Sequence, residues 1–332
     1  MRRALVLIAV LTGVGAAPAP SRGALPQTIR IWGQGTMRGV IERLAAGFRR
    51  HHPDIAFELT LKGSATAIPG LYSGKADIAL LARENDAVDD AGFGRVRQYK
   101  PLRLELMNGS LAAPGRADAL VVLVRGDNPL QRLTLAQLDS IFGSERRRGG
   151  RTVRTWGDLG LGGAWRNAPI ALHVYDAETG SGTYFQHAVL KDSRKMRWER
   201  IQEYRDSRKP DGTLLRAAEQ IAAAVRRDHY ALGIGSLRYA DPDLKAVAVA
   251  EAPTGPFVQA TAETIVSRQY PLSRRTFAFV DRKPSTPVDP KLADFLGFVL
   301  SDEGQSIIAS GGDFLPLDEP TRAAQRALLE AR

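Results

Sequence analysis

Two rhythms of apolar residues alternate along this chain. One is the every-second-residue pattern, or short apolar run, of a strand; the other is the three-and-four spacing of a helix packed on one side. Residues 28–33 read as a first strand, and Met37, Val40, Ile41, Leu44, Ala45 and Phe48 then recur at helical steps as far as His51-His52-Pro53. Phe57, Leu59 and Leu61 alternate with polar neighbours as a second strand. A short helix carrying Ile68 and Leu71 stops at Ser73-Gly74, and residues 76–81 form a buried strand. Residues 85–115 show little pattern. A long apolar strand spans 117–125, and Thr134 caps a helix with Leu135, Leu138, Ile141 and Phe142 on its core face. An apolar run at 170–175 precedes a helix bearing Tyr184, Phe185, Ala188 and Val189. A helix at 211–227, strands at 231–237 and 245–250, a Pro-rich linker at 253–275, a strand at 276–280, a helix carrying Leu292 to Leu300 and a surface helix from Glu319 complete the chain.

This alternation predicts α/β layers with mainly parallel sheets flanked by helices. The weakly patterned stretches near 115 and 253 predict a middle domain inserted into a first one. Lobe 1 is then residues 24–115 plus 254–332, and lobe 2 is residues 116–253.

Composition adds a compartment. The 332 residues are 44% hydrophobic and 25% charged, as a globular protein requires, and there is no cysteine. Met1-Arg2-Arg3 followed by an apolar run over 4–14 and the small residues Gly15-Ala16-Ala17 reads as a secretory signal peptide over 1–23. Beyond it no run approaches the roughly 18 apolar residues of a spanning helix. With no cysteine for lipid attachment, the expected product is a free periplasmic or secreted protein. The formal charge is +10. Arginines cluster at 146–154 without interleaved aromatics, which predicts a solvated loop and no nucleic-acid partner.

The candidate chemistry lies in three small-residue turns, each between a strand and a helix start: Gly33-Gln34-Gly35-Thr36-Met37, Gly63-Ser64-Ala65-Thr66 and Gly180-Ser181-Gly182-Thr183. The first N–H groups of a helix lack internal partners and sit at its positive end, so such a turn attracts anions. Ser181 or Thr183 is the expected cap of the third helix. If two lobes face each other, the turns can converge on one anion, and a buried anion needs a cation. Arg83, just beyond the strand at 76–81, is the candidate, with a surface ion pair as its alternative.

The order of these pieces resembles the phosphate-binding periplasmic substrate-binding proteins of ABC transporters. The likeness is carried by the three turns, Ala76-Asp77-Ile78-Ala79 with Arg83, Asn128-Pro129-Leu130, Trp156-Gly157-Asp158, Tyr270-Pro271-Leu272-Ser273-Arg274 and Ser301-Asp302-Glu303-Gly304-Gln305, and covers about residues 28–318. It implies a type II periplasmic-binding clamshell that closes on inorganic phosphate or a related oxyanion, acts as a monomer without a cofactor, and serves ABC permease subunits. The implied ligand set is Gly35, Thr36 and Met37 from the first helix, Ser64 and Ala65 from the second, Arg83, and Gly180, Ser181, Gly182 and Thr183 from the opposite lobe. The sequence also departs from the family. An Arg four residues before the Ser of the third turn is replaced by Ala177, and the Asp expected after the strand at 76–81 is missing from Ala82-Arg83-Glu84.

Two rival readings remain at the level of sequence. Ser181 could be a hydrolase nucleophile, with His173 and His187 flanking it, but no Gly-x-Ser-x-Gly elbow is present and no residues show metal-ligand spacing. Alternatively, Ala177 and the arginine loop would suit a family member turned to signalling or surface interaction.

Overall fold

The computed structural model describes residues 27–83, 87–113 and 116–331. The expected leader lies outside them. The chain builds two mixed sheets. The first is assembled from β1 (Gln27–Gly33), α1 (Arg38–Phe48), β2 (Ile55–Thr60), α2 (Ser64–Tyr72), β3 (Ile78–Leu81), α3 (Ala87–Arg97) and β4 (Leu102–Asn108). The second takes β5 (Leu120–Arg125), β6 (Arg132–Thr134), α4 (Leu135–Phe142), β7 (Ala171–Tyr175), α5 (Gly180–Leu190) and β8 (Ile201–Tyr204). After a short hairpin of β9 (Ser207–Arg208) and β10 (Leu214–Leu215) come α6 (Ala217–Arg227), β11 (Ala231–Ser236), β12 (Leu244–Ala250) and α7 (Ala262–Val266). β13 (Arg275–Val280) returns to the first sheet, followed by α8 (Pro290–Val299), α9 (Asp302–Ser310) and α10 (Glu319–Glu330).

The first sheet has the order β2-β1-β3-β13-β4, and the second β6-β12-β5-β11-β7-β8. The strands that follow a crossing break the parallel pattern. β13 runs antiparallel to both β3 and β4, and β5 runs antiparallel to both β11 and β12. The remaining pairs within the two sheets are parallel.

Alternation along the strands sets the layers. Ile78 and Leu80 of β3 pack with Ala278 and Val280 of β13 beneath α1 and α8. The intervening Ala79 and Leu81, with Phe277 and Phe279, face α2 and Phe93 of α3. The first sheet is therefore covered on both faces, as its continuous apolar strands require. In the second lobe α6 packs on β5, β7 and β11, and its Ile221 and Val225 are fully buried. Among the described residues no helix is long and apolar enough to cross a membrane.

The patternless stretch at 85–115 contains α3 and β4. Phe93 is the only buried residue of α3, so that helix has almost no apolar stripe. β4 is interrupted by Glu105, which is buried because Arg268 donates to it at 2.7 Å. The linker-like stretch at 253–275 includes α7, and its Ala260, Ile265, Tyr270 and Leu272 pack in the core of the second sheet.

The two crossing segments run side by side. Gly109 N donates to Arg274 O at 2.7 Å and Leu120 N to Leu272 O at 3.1 Å. The Tyr270 hydroxyl donates to Leu120 O at 2.8 Å. Elsewhere α4 starts as its sequence suggests. Gln137 N donates to Thr134 Oγ1 at 3.1 Å, and Thr134 N donates to Gln137 Oε1 at 2.9 Å. Thr134→Ala removes the reciprocal cap and should cost about 1 kcal/mol, a fall of ~2–4 °C in Tm measured by thermal unfolding.

Candidate functional site

A cavity of about 240 Å³ lies between the lobes. Thr36, from the turn before α1, lines it from the first lobe, and Tyr175, Gly180 and Ser181 line it from the second. Asp118 and Arg274, one on each crossing segment, line it too, as do Asp206 and Arg216.

The third turn owes its shape to Thr179. Its hydroxyl accepts from Gly182 N at 3.1 Å, so Thr179, rather than the expected Ser181 or Thr183, is the N-cap of α5. Thr183 Oγ1 instead donates to Ala177 O at 3.3 Å, and Thr183 N to Thr179 O at 2.8 Å. Gly182 is required by packing: a Cβ at that position would lie 2.1 Å from Asp176 O. With capping assigned to Thr179, the Ser181 hydroxyl is available to the cavity. Its oxygen accepts from Arg274 Nη1 at 3.0 Å.

The first turn forms a single 3-10 turn, Gly35–Met37, ahead of α1. Met37 N donates to Gln34 O at 3.1 Å, and the Met37 side chain is fully buried in the core of the first lobe. Thr36 Oγ1 is buried and has no hydrogen-bond partner among the described residues, although it borders the cavity. Gly35 is exposed beside it, and its Cα faces Leu61 O. Ser64 and Ala65 open α2, half-buried and exposed respectively, and neither is among the residues lining this cavity. Arg83 lines a different cavity, of about 310 Å³, and is ion-paired to Asp89 at 2.7 Å. The structure thus brings Thr36, Gly180 and Ser181 together, with Gly182 and Thr183 shaping the turn behind them.

Arg274 and Asp118 are the residues that sequence reasoning passed over. Arg274 is 3% exposed; its Nη2 donates to Ala82 O at 3.1 Å and Gly180 O at 3.3 Å, and its guanidinium lies 5.4 Å from the centre of the Tyr184 ring. Burial pushes its pKa below the ordinary arginine value, and the negative charge of Asp118 opposes that fall. Burial, then Asp118, raises the Tyr175 hydroxyl well above its usual range. The available signals were an arginine pair, Arg274-Arg275, leading into the apolar run Phe277–Val280, and an aspartate between Ala117 and Ala119; charges set against apolar strands are buried only with a compensating partner.

The other candidates have structural partners. His173 Nδ1 is 3.0 Å from Tyr204 Oη, and His187 Nδ1 is 2.8 Å from Asp192. In the arginine loop, Arg148 donates through Nε to Val189 O and through Nη2 to Ala188 O, both at 2.7 Å, and so binds the last turn of α5. Arg147 pairs with Glu145 at 2.9 Å.

A family profile described as the PBP superfamily domain matches residues 15–303. The chain belongs to the PBP superfamily. Its sequence is 28% identical to the phosphate-binding protein PstS of Pseudomonas aeruginosa, over 98% of this chain and 97% of that protein. It is 24% identical to protein SphX of Synechococcus elongatus, over 98% and 89% of the two chains. Among solved structures, PstS from Borrelia burgdorferi shares the fold at a TM-score of 0.60 with 17% identity, over 88% of this chain and 99% of that one. The two sheets joined by paired crossings are thus the type II, two-lobed arrangement of this superfamily.

Proposed function

We propose that this protein is an exported solute receptor of an ABC importer, which captures phosphate or a closely related oxyanion between its lobes and presents it to the permease subunits. The lobes are taken as 24–115 with 254–332, and 116–253; the leader at 1–23 directs export to the periplasm or medium, where the receptor acts as a monomer. One observation carries the reading: a hydroxyl from the first lobe and a helix start from the second border the same cavity. Thr36 Oγ1 is buried there with no partner among the described residues. Ser181 uses a lone pair to accept from Arg274, which leaves its O–H to donate into the cavity. The N-terminus of α5 adds its positive end. These donors suit an anion, and the Asp118 carboxylate on the same wall adds an acceptor for one that carries a proton. Phosphate is favoured because the full-length relatives at 28% and 24% identity include a phosphate-binding protein.

The same contact argues against Ser181 as a nucleophile. Its polar partner is a guanidinium, which cannot take a proton, and not an imidazole. The test is calorimetric titration of ligand-stripped protein with phosphate, sulfate and other oxyanions. Phosphate should bind and raise the Tm. Ser181→Ala should weaken it about 10–100-fold, the worth of one hydrogen bond to a charged group. A folded wild-type protein that binds no oxyanion would reject the receptor reading and favour an interaction role.

A further inference from the structure

We propose that Arg274 is the charge-compensating ligand of the anion, supplied by the crossing strand and not by the Gly-Ser-Gly-Thr turn. This rests on the oxyanion reading above. An anion enclosed between two lobes needs a cation within contact distance. The turn supplies none: position 177 is alanine, and the residues beside it are Asp176 and Glu178. The other arginines nearby have structural partners. Arg83 pairs with Asp89 at 2.7 Å and borders a different cavity, and Arg216 borders this one but pairs with Asp206 at 3.0 Å.

Arg274 differs in three respects. It is 3% exposed, so water screens its charge little, and the acidic group acting on it is Asp118, on the wall of the same cavity. Its hydrogen-bond acceptors are neutral: the Ser181 hydroxyl and the carbonyls of Ala82 and Gly180. Its Nε is buried and has no hydrogen-bond partner among the described residues. A guanidinium has five N–H donors in a planar fork, so Arg274 retains donors for an oxyanion seated in the cavity it lines.

Its placement has a mechanical consequence. The Arg274 carbonyl accepts from Gly109 N on the other crossing segment, so the residue is anchored at the junction of the lobes. The side chain reaches Ala82 in the first lobe and Gly180 and Ser181 in the second. A cation on the turn itself would travel with the second lobe. A cation on the crossing is held at the junction, where it touches both lobes at once.

The test is titration of inorganic phosphate into ligand-stripped wild type, R274Q, R274K, R83Q and the double variant R274Q/A177R, each with its Tm measured without ligand. R274Q should lose about 100-fold or more in affinity, as expected when one partner of a buried charge contact is removed. R274K, which keeps the charge but not the fork, should lose about 10-fold, and R83Q should stay within about 3-fold of wild type. The double variant should recover at least about 10-fold over R274Q, because it restores a cation from the turn; a purely structural defect would not be repaired in this way. R274Q within about 3-fold of wild type, or a double variant no better than R274Q, overturns the proposal. If R274Q does not fold, R274K decides: a folded R274K with wild-type affinity overturns it, and one weakened about 10-fold at an unchanged Tm supports it. A wild-type protein that binds no oxyanion would instead reject the receptor reading itself.

Discussion

Gly109→Ala should lower the Tm by roughly 6–12 °C, the equivalent of a loss of about 3 kcal/mol in a lobe of this size. A Cβ at Gly109 would lie 1.8 Å from Ala117 O and 2.8 Å from the Ala117 carbonyl carbon. Both atoms are backbone, so no rotamer relieves the overlap. The segment cannot easily spread either. Ala119 N donates to Ser110 O at 3.0 Å, and Leu120 N to Leu272 O at 3.1 Å, which ties the crossing to itself and to its neighbour. The distortion would also reach the site. Gly109 N donates to the carbonyl of Arg274 at 2.7 Å, so displacing Gly109 moves the backbone that carries the buried guanidinium. Phosphate affinity in Gly109→Ala should therefore fall together with the Tm, as thermal unfolding and titration on the same preparation would record. A Tm within about 2 °C of wild type would mean that the crossings tolerate spreading, in contrast to an interior that resists overpacking.

The layered fold is legible where a burial pattern has a single cause. α1 is legible because Val40, Ile41, Leu44 and Phe48 all face the first sheet, and α4 because its cap is local to Thr134 and Gln137. The stretch from 85 to 115 is not, because its burial depends on partners distant in sequence. Glu105 can sit inside β4 because Arg268 and Arg275, more than 160 positions later, pair with it. The same limit applies to the site. The Gly-Ser-Gly-Thr turn is local, so its helix start and glycine requirement can be read directly. Capping by Thr179 is equally local, but Ser181 and Thr183 offer the same chemistry one turn along, and only geometry separates them. Arg83 looks suitable because it follows a strand end, yet the structure pairs it with Asp89 of α3, a helix the sequence barely announces. Arg274 lies 93 positions from Ser181, and the contact between them exists only once both crossings have formed. A sequence can show that a charged residue borders an apolar strand; it cannot show which distant turn that residue will meet.

Asp118→Asn should reduce the ratio of phosphate to sulfate affinity by about 10–100-fold. Asp118 is 1% exposed and borders the cavity that holds Thr36, Ser181 and Arg274. An ionised carboxylate only accepts hydrogen bonds. Against a fully deprotonated oxyanion it offers repulsion, strengthened by its own burial. Against an oxyanion that still carries a proton it offers an acceptor, and the resulting charge-assisted bond is worth about 1.5–3 kcal/mol. At neutral pH phosphate retains a proton and sulfate does not, so the carboxylate favours phosphate and disfavours sulfate. Replacing it with an amide removes the repulsion and adds N–H donors that sulfate can use. Sulfate should then gain affinity while phosphate loses some. The variant also removes the negative charge that opposes the burial of Arg274, which leaves the site more positive and further favours a dianion. Titrating both anions into Asp118→Asn and wild type at the same pH and ionic strength reads the ratio directly. An unchanged ratio would assign Asp118 to balancing the Arg274 charge alone. A changed ratio would make it the acceptor that the Ala82-Arg83-Glu84 stretch does not provide, supplied, like the cation, from a crossing segment.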